Sequence, residues 1–412
     1  GINPQGSDMQ KALIHFADGL PLDTPEAIRW FHVHGANKWG FDKATLAERQ
    51  QWVVDRQDQI ISFADDPLGN LGWREAGDPL QFLAWCFEYA AWVRDTDNSF
   101  VSRIPISMDG SCNGLQNLSA LLRDEVGGQA TNLTNNTVME DIYRRVAEAA
   151  TVRMNSAPYK DAAKERIRLM WLAHGITRSY VKRAVMTTPY GVTKRSAIDY
   201  VVEDTLKRGE GPPFEQAERV LAASVLMDHA WPAIGDIVVK GVLCMEWLKK
   251  GARTILKNRD PEREPIISWI SPSGFPAAQS YYEESIHQIK TKIAGGMRLK
   301  MRCETEAPDA DRHSSGLAPN FVHSLDAAHL HLTARAAQAA GIPGLAMIHD
   351  DYGTHAANSD KLYRIIREQF ALMYSEHDPL ADLMARYPCL VNPPDKGSLD
   401  IEEVKRSEFF FS

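Results

Sequence analysis

The sequence predicts a mixed α/β fold that is rich in helix and contains a small antiparallel sheet. A short apolar run, IPISM at 104–108, leads into Asp109 and Gly110, and leucines then recur at helical spacing, which indicates strand, turn and helix. Late in the chain, LAMIH at 345–349 and YGTHA at 352–356 flank two aspartates, which predicts a β-hairpin with acids at its tip. These two units supply the strands of the predicted sheet.

Two long helices are predicted between and beside those strands. Residues 174–188 contain no glycine after Gly175 and no proline, so we expect a helix there. The side chains that helical geometry places on one side of it are Arg178, Lys182, Met186 and Tyr190. A second helix is expected over 320–340, where apolar residues have helical spacing and Gly341 closes the pattern.

The composition is that of an ordinary globular protein. With 412 residues, 44% apolar and 24% charged, the chain is long enough for two or three domains or one large composite. Its five cysteines are scattered and form no Cys-x-x-Cys pair, which favours reduced thiols in a cytoplasm. We find no secretory leader and no run of eighteen apolar residues, so neither export nor a membrane span is expected.

The charge pattern is uneven. A net charge of −8 argues mildly against a protein that coats nucleic acid by bulk electrostatics. Cations are nevertheless concentrated at 164–168, 178–183 and 290–302, a pattern that fits a cationic channel within an acidic surface. Runs of this kind are more often solvated faces.

Two acids carry the chemical interpretation. Asp109 and Asp350 each follow a short strand and lie 241 residues apart (350 − 109), and they converge if both strands join one sheet. Acids in turns are common because aspartate accepts local hydrogen bonds, so this pair alone is weak. The cations Arg178 and Lys182 strengthen it, because phosphoryl transfer needs metal-binding carboxylates together with groups that neutralise phosphate.

Three long motifs, in this order, resemble those of one enzyme family. They are PISMDGSCNGLQNLSALLRDEVGG at 105–128, GITRSYVKRAVMTTPYG at 175–191, and SGLAPNFVHSLDAAHL at 315–330 followed by AMIHDDYGT at 346–354. Shorter matches are NPQG at 3–6, VHGAN at 33–37, CFEYA at 86–90 and EFFFS at 408–412. The chain thereby resembles the single-subunit DNA-dependent RNA polymerases of the phage and mitochondrial type over essentially its whole length.

The resemblance implies DNA-templated RNA synthesis from NTPs with two Mg²⁺ ions. The implied metal ligands are Asp109, Asp350 and the carbonyl of Gly110. The residues implied in catalysis are Asp109, Asp350, Lys182, Tyr190 and His323. Those implied to contact the substrate are Arg178, Lys43, Met186, Gly191 and His349.

Individual roles follow from the same resemblance. Lys182 is expected to contact the incoming triphosphate and to protonate pyrophosphate. Tyr190 and His323 are expected to distinguish ribose from deoxyribose through the 2′-hydroxyl. His349 is expected to orient the hairpin or the primer end, with a purely structural cross-strand role as the alternative, and Arg183 is expected on a solvated surface.

The family has a right-hand architecture of palm, fingers and thumb. The resemblance implies a palm formed by 1–137 and 324–412 around the small sheet, with a C-terminal foot, and mostly helical fingers from 138–323. Residues 276–312 match the position of a hairpin that reads promoter or template DNA. Its basic residues, expected at phosphates, are Lys290, Lys292, Arg298, Lys300 and Arg302.

Three positions depart from the family pattern: Pro189, Asp351, and Asn117, which stands where a histidine is more usual. Pro189 precedes Tyr190 where the family has a residue compatible with helix, so we expect the helix to end or kink at Thr188. Asp351 follows the second catalytic aspartate in place of a small polar residue. We expect Asp351 to cap the turn rather than to approach the metals.

Family members also carry an N-terminal region, a thumb and an arginine-bearing D-x-x-G-R motif, for which we find no match in these 412 residues. Palm and fingers alone would hold a template weakly, because affinity depends on the number of phosphates contacted. We therefore expect the catalytic subunit of a split, heterodimeric polymerase whose second polypeptide supplies the rest. A truncated longer chain is the alternative. The other expected partners are the DNA template, the RNA product and NTPs.

Three rival functions remain open from the sequence. A DNA polymerase of the same right-hand architecture uses the same metal chemistry, although Tyr190 and His323 favour ribonucleotides. A catalytically silent DNA-binding scaffold would have no need of intact acids and Lys182. A metal-dependent phosphohydrolase would require clustered histidine ligands, and the thirteen histidines show no such spacing.

Overall fold

The computed structural model describes residues 6–260, 262, 266–292 and 296–411, so residues 3–5 of the NPQG motif and Ser412 lie outside the described residues. The helices are α1 Asp8–Ala12, α2 Pro25–Trp39, α3 Leu46–Val54, α4 Gln57–Asp65, α5 Pro79–Arg94, α6 Asn113–Leu121, α7 Glu125–Ala130, α8 Ile142–Ser156, α9 Ala162–His174, α10 Arg178–Thr187, α11 Lys194–Val201, α12 Arg219–Ile237, α13 Val239–Lys257, α14 Ala310–Ala339, α15 Ala356–Glu376 and α16 Pro379–Arg386. The strands are β1 Leu20–Pro21, β2 Val101–Ser102, β3 Ile106–Asp109, β4 Ile266–Ile270, β5 Pro276–Ser280, β6 Tyr282–Lys290, β7 Arg298–Pro308, β8 Ala346–Ile348 and β9 Asp351–Thr354. The predicted helix-rich mixed α/β fold with small antiparallel sheets is confirmed.

A three-stranded antiparallel sheet joins a strand from the first third of the chain to a hairpin near its end. Its strand order is β3-β9-β8, so the strand after residue 105 pairs with the late hairpin, which meets the condition stated for convergence of Asp109 and Asp350. Met108 lies opposite Tyr352, and both are fully buried, so this face of the sheet belongs to the core. Side chains alternate between faces, and the other face therefore carries Ser107, Asp109 and Asp351.

Helices pack tightly behind this sheet. His329 of α14 is buried between Tyr352 of β9, whose hydroxyl lies 3.3 Å from Nδ1, and the Ile366 carbonyl of α15, 2.8 Å from Nε2. Burial lowers the pKa of His329 to about 4, so the ring is neutral and serves as a structural link. On α2, a Cβ at Gly35 would lie 2.3 Å from the Trp85 ring, and glycine thus allows α2 and α5 to approach closely.

The helix that carries the predicted cationic face is shorter than expected. Gly175, with φ 88°, separates α9 from α10, so the predicted helix over 174–188 begins only at Arg178. Pro189 ends α10 at Thr187, and a single 3₁₀ turn, Thr188–Tyr190, follows. The expected helix end near Thr188 is therefore confirmed.

The second predicted helix, α14, extends ten residues further toward the N-terminus than expected. Asp309 caps it by accepting a hydrogen bond from the Arg312 N–H, and Gly341 follows its end with φ 76°. The boundary assigned to fingers and palm at residue 323 falls inside this continuous helix.

The region assigned to a DNA-reading hairpin contains β6 and β7, which pair in antiparallel register. Lys290 lies opposite Arg298, and Lys300 and Arg302 share their face, since they lie two and four residues further along β7. Among the described residues, we find no helix with both the length and the apolar character needed to cross a bilayer.

The expectation that Asp351 caps the hairpin turn is wrong. The turn between β8 and β9 contains only two residues, His349 and Asp350, because Ile348 pairs directly with Asp351. Asp351 is the first residue of β9 and lies opposite Asp109. The tight turn also explains the positive φ of His349, 55°, which a two-residue hairpin connection requires.

Candidate active site

The two aspartates that the sequence singled out meet at one end of the three-stranded sheet. Asp109 ends β3, and Asp350 lies in the turn just before its strand partner Asp351. The Asp109 side chain is exposed to solvent, yet the surrounding protein disfavours its charged form. Displacement of bulk water by protein, followed by the charges of Asp350 and Asp351, raises the pKa of Asp109 well above its ordinary value.

This arrangement fits a divalent cation. Carboxylates held this close repel one another, and a cation between them removes the repulsion. The described residues contain no cluster of three or more His, Cys, Asp or Glu side chains suited to a metal. Asp109 and Asp350 would therefore be supplemented by backbone oxygen, substrate phosphate and water, the hard oxygen ligands that Mg²⁺ prefers.

A buried lysine partly compensates the acids. Lys38 of α2 has only 14% of its side chain exposed, and its Nζ lies 3.5 Å from Asp78. Its charge also lowers the pKa values of Asp109 and Asp351, against the larger effect of burial. The sequence did not single out Lys38, which follows the VHGAN motif directly, because nothing in that helix indicates which residues it faces.

Tyr190 and His323 lie face to face beside the acids. Their ring centroids are 4.2 Å apart and the rings are nearly parallel, at 7°. Burial, followed by the charge of Asp326, raises the pKa of Tyr190, while burial and then His349 lower the pKa of His323. At neutral pH both rings are thus uncharged, and both can form directional hydrogen bonds.

The position of Tyr190 depends on a glycine in α6. A Cβ at Gly114 would lie 2.8 Å from the Tyr190 hydroxyl oxygen and 3.0 Å from Pro189. Gly191, with φ 77°, closes the 3₁₀ turn from the other side. The tyrosine is therefore held between Gly114, where there is no room for a side chain, and Gly191, whose left-handed backbone conformation favours glycine.

We expect Gly114→Ala to displace Tyr190, because contacts under 3 Å force the ring to move, and thereby to lower by about tenfold the nucleotide incorporation that the family resemblance implies. Steady-state incorporation kinetics would show a higher KM for nucleotide. Gly235→Ala is the matched control, since its added Cβ meets nothing within 4 Å. Equal kinetics for the two variants would contradict this role of Gly114.

The basic residues of the predicted substrate site divide into two groups. Arg178 pairs with Asp141, Nε to Oδ2 2.7 Å, and Lys43 pairs with Asp42 at 2.7 Å. Arg178 and Lys43 line one cavity beside Ser111 and are thus brought together next to the Asp109 loop.

Three further residues of the predicted face and its surroundings, Lys182, Arg183 and Met186, lie further along α10. Lys182 and Met186 are exposed on the same side of the helix as Arg178. Among the described residues, no hydrogen bond or ion pair engages Lys182. Arg183 pairs with Asp204 and stacks on Tyr200, with its guanidinium 4.0 Å from the ring centroid, which agrees with the expected surface role.

Asp326 is a site residue that the sequence reading missed. Asn113 donates a hydrogen bond to it, and its charge acts on Tyr190. Burial, followed by the charge of Asp350, raises the pKa of Asp326 to about 6. One signal was available, since Asp326 lies three residues after His323, on the same face of α14.

The raised pKa of Asp326 predicts a pH dependence of stability. The folded state holds this proton more tightly than the unfolded state, so folding stability is lost as pH rises from about 4 to about 6. The difference amounts to about 3 kcal/mol at most. In EDTA, urea unfolding of wild type should lose this amount relative to Asp326→Asn across that window. Parallel pH profiles for the two proteins would contradict the prediction.

The segment before residue 412 supports the loop that follows Asp109. Ser111 donates its backbone N–H to the Phe410 carbonyl, at 3.3 Å, and Gly110 forms a β-bridge with Phe411. The fully buried guanidinium of Arg367 in α15 donates to the carbonyls of Ser407, Glu408 and Phe411 at 2.9 to 3.1 Å. This segment, 407–411, therefore lies between α15 and the Gly110 loop, and we name it the tail segment.

The chain is similar to known proteins over its whole length. Residues 22–389 match the family model of DNA-dependent RNA polymerase. The chain is 35% identical to the DNA-directed RNA polymerase of Enterobacteria phage T3 and 34% identical to T7 RNA polymerase of Escherichia phage T7; each alignment covers all of this chain and 51% of the relative. It is 34% identical to DNA-directed RNA polymerase 2B, chloroplastic/mitochondrial, of Nicotiana tabacum, with 40% of that relative covered.

The chain spans about half the length of the curated relatives it matches, and it corresponds to the C-terminal half of a phage-type polymerase. The motifs around Asp109, Tyr190 and Asp350 all lie within the matched region. The chain therefore belongs to the DNA-dependent RNA polymerase family of the single-subunit phage and organellar type.

Proposed function

We propose that this chain carries the nucleotidyl-transfer site of a DNA-directed RNA polymerase, which joins ribonucleotides on a DNA template and releases pyrophosphate. One observation carries the proposal: Asp109 and Asp350, far apart in sequence, meet at the end of one sheet next to the stacked Tyr190 and His323. Relatives named as DNA-directed RNA polymerases support it.

In this proposal Asp109, Asp350 and the Gly110 carbonyl hold two Mg²⁺ ions, which when bound favour ionisation of the attacking hydroxyl and stabilise the leaving oxygen. The shared repulsion of the two acids supports this assignment. The protein holds the acids in place through the β3–β9 pairing and the two-residue turn, so they need no reorganisation when substrate binds.

The proposed triphosphate contacts come from α10 and its surroundings. Lys182, exposed and unengaged among the described residues, offers a compact charge and a proton for pyrophosphate. Arg178 and Lys43 line the cavity beside Ser111, where their charges would neutralise phosphate oxygens. Met186, Gly191 and His349 complete the proposed set of substrate contacts.

The Tyr190–His323 pair is proposed to select ribose. Two neutral rings with hydrogen-bonding edges, stacked at 4.2 Å, form a rigid wall that can recognise a 2′-hydroxyl. The test is single-nucleotide incorporation with rNTP against dNTP on one template. A strong rNTP preference that Tyr190→Phe reduces is expected. A dNTP preference in wild type would instead support a DNA polymerase, and no incorporation of either would support a silent scaffold.

We also propose an assignment of the palm, the fingers, the DNA-contacting hairpin and a partner polypeptide. We assign the palm to 1–137 and 324–412, the fingers to 138–323, and DNA contact to the hairpin within 276–312, whose exposed cations fit phosphate. The counterpart of the relatives' other half is proposed to be a second polypeptide, with the host cytoplasm as location. Purification from the native source tests this, because co-elution of a second polypeptide in fixed ratio supports it and a single active polypeptide contradicts it.

A further inference from the structure

A small cavity lies beside Asp351, on the face of the sheet that also carries Asp109. Asp351 and Ser107 line it from the sheet. The polar residues that line it from outside the sheet are Lys11, His15, His34 and Gln81. Its volume is about 60 Å³. A water molecule occupies about 30 Å³, so the cavity admits one or two small functional groups and excludes a nucleobase.

Asp351 brings an unmatched acceptor to this cavity. Its Oδ1 atom is shielded from solvent and has no hydrogen-bond partner among the described residues, while the Ser107 side chain hydrogen-bonds to the same carboxyl group. A carboxylate oxygen left in this state is costly, whereas a donor that enters the cavity removes the cost. Rotation about the last side-chain torsion, which is soft in aspartate, presents either oxygen to such a donor.

The surroundings favour a neutral donor over a cation. Lys11 and Lys38 lie close enough for their charges to act on the Asp351 carboxylate. His34 does not supply the missing proton from Nδ1, because that atom faces the Ser107 backbone N–H at 3.5 Å as an acceptor. The described residues also offer no three-ligand metal cluster here. A small neutral donor meets these conditions, and a sugar hydroxyl is one that the cavity admits.

We propose that Asp351 accepts a hydrogen bond from the 2′-hydroxyl of the terminal ribose of the growing RNA, a proposal that rests on the function proposed above. The attacking 3′-hydroxyl must lie at Asp109 and Asp350. The 2′-hydroxyl is on the adjacent carbon of the same sugar, and Asp351 lies directly opposite Asp109. The 2′-hydroxyl is also the group that separates RNA from DNA, so this residue reads the sugar of the strand being extended.

The test uses two RNA primers on the same DNA template that differ only in the presence of the 2′-hydroxyl on the 3′-terminal nucleotide. Binding is measured in EDTA by fluorescence anisotropy, and extension by one nucleotide is measured with Mg²⁺. The proteins are wild type, Asp351→Ala, Asp351→Asn and the control Asp58→Asn, all purified with any polypeptide that accompanies them. Asp58 is an exposed acid of α4.

Wild type and Asp58→Asn are expected to bind and extend the ribose-terminated primer about threefold to tenfold better, the effect of one hydrogen bond. In Asp351→Ala the ratio should fall to about one. Asp351→Asn keeps an acceptor oxygen and should retain a ratio of several-fold. Melting temperatures establish that each variant is folded.

An equal preference in wild type and Asp351→Ala would overturn the proposal. So would an Asp351→Ala variant that needs more Mg²⁺ while its sugar preference stays the same, because Asp351 would then act on the metal. A wild type that extends neither primer contradicts the proposed function, and the binding ratio in EDTA still decides the role of Asp351.

Discussion

Asp109→Asn is expected to lower RNA synthesis by about 10³-fold or more while leaving the protein folded. The amide keeps the size of the side chain and removes the charge on which the proposed metal site depends. Folding should not suffer, because the raised pKa of Asp109 shows that its ionised form is disfavoured in the folded state. Wild-type stability is lost as pH rises from the ordinary aspartate range through this raised pKa, and the variant escapes that loss.

The measurement combines primer extension with thermal unfolding, each with and without Mg²⁺. Wild type should gain stability on Mg²⁺ addition, and the Asn variant should gain much less. Asp350→Asn should behave in the same way, and Asp58→Asn should match wild type. Extension by Asp109→Asn within tenfold of wild type would contradict the assignment of this acid.

Arg367→Leu is expected to cost about 3–5 kcal/mol in free energy of unfolding, the range for removing one partner from a buried charged network. The guanidinium donates hydrogen bonds to the carbonyls of Ser407, Glu408 and Phe411. Burial lowers the pKa of Arg367 only to about 10, so the side chain stays charged at neutral pH. Loss of these donors leaves several carbonyls unsatisfied and frees the tail segment.

When the tail segment is released in Arg367→Leu, Ser111 and Gly110 lose the partners that hold their loop in place. Primer extension should therefore fall by at least about tenfold. Urea unfolding and primer extension check both effects. Arg364→Leu is the matched control on the same helix, since that arginine is 67% exposed and its ion pair with Asp360 contributes at most about 1 kcal/mol. Similar losses in both variants would argue against a special role for Arg367.

Local patterns predicted the elements that carry the site. The strand before Asp109 and the late hairpin follow from runs of apolar residues, and the end of α10 follows from Pro189. The sequence did not predict that these strands pair, because the periodicity of apolar residues does not indicate which strands are neighbours. Convergence of the two aspartates was therefore conditional on that pairing. The family motifs supplied that link.

The position of Asp351 could not be predicted from the sequence, because it depends on the length of the hairpin turn. A hairpin turn of two residues and one of three or four are equally compatible with the pattern LAMIHDDYGT, but a shift of one residue moves a side chain to the other face of the sheet. Asp326, Lys38 and Arg367 were missed for a related reason. Each is a charged residue on a helix, and only tertiary packing shows that it faces the interior.

The contact between Gly110 and Phe411 also sets the order of events during synthesis of the protein. The two residues are 301 positions apart (411 − 110 = 301). At 5 to 20 residues per second, a ribosome needs on the order of 15–60 s to make the stretch between them. A nascent chain that already contains both aspartates and the basic helix therefore still lacks the bridge partner of Gly110, and we expect the loop after Asp109 to stay unsupported until translation has passed the tail segment.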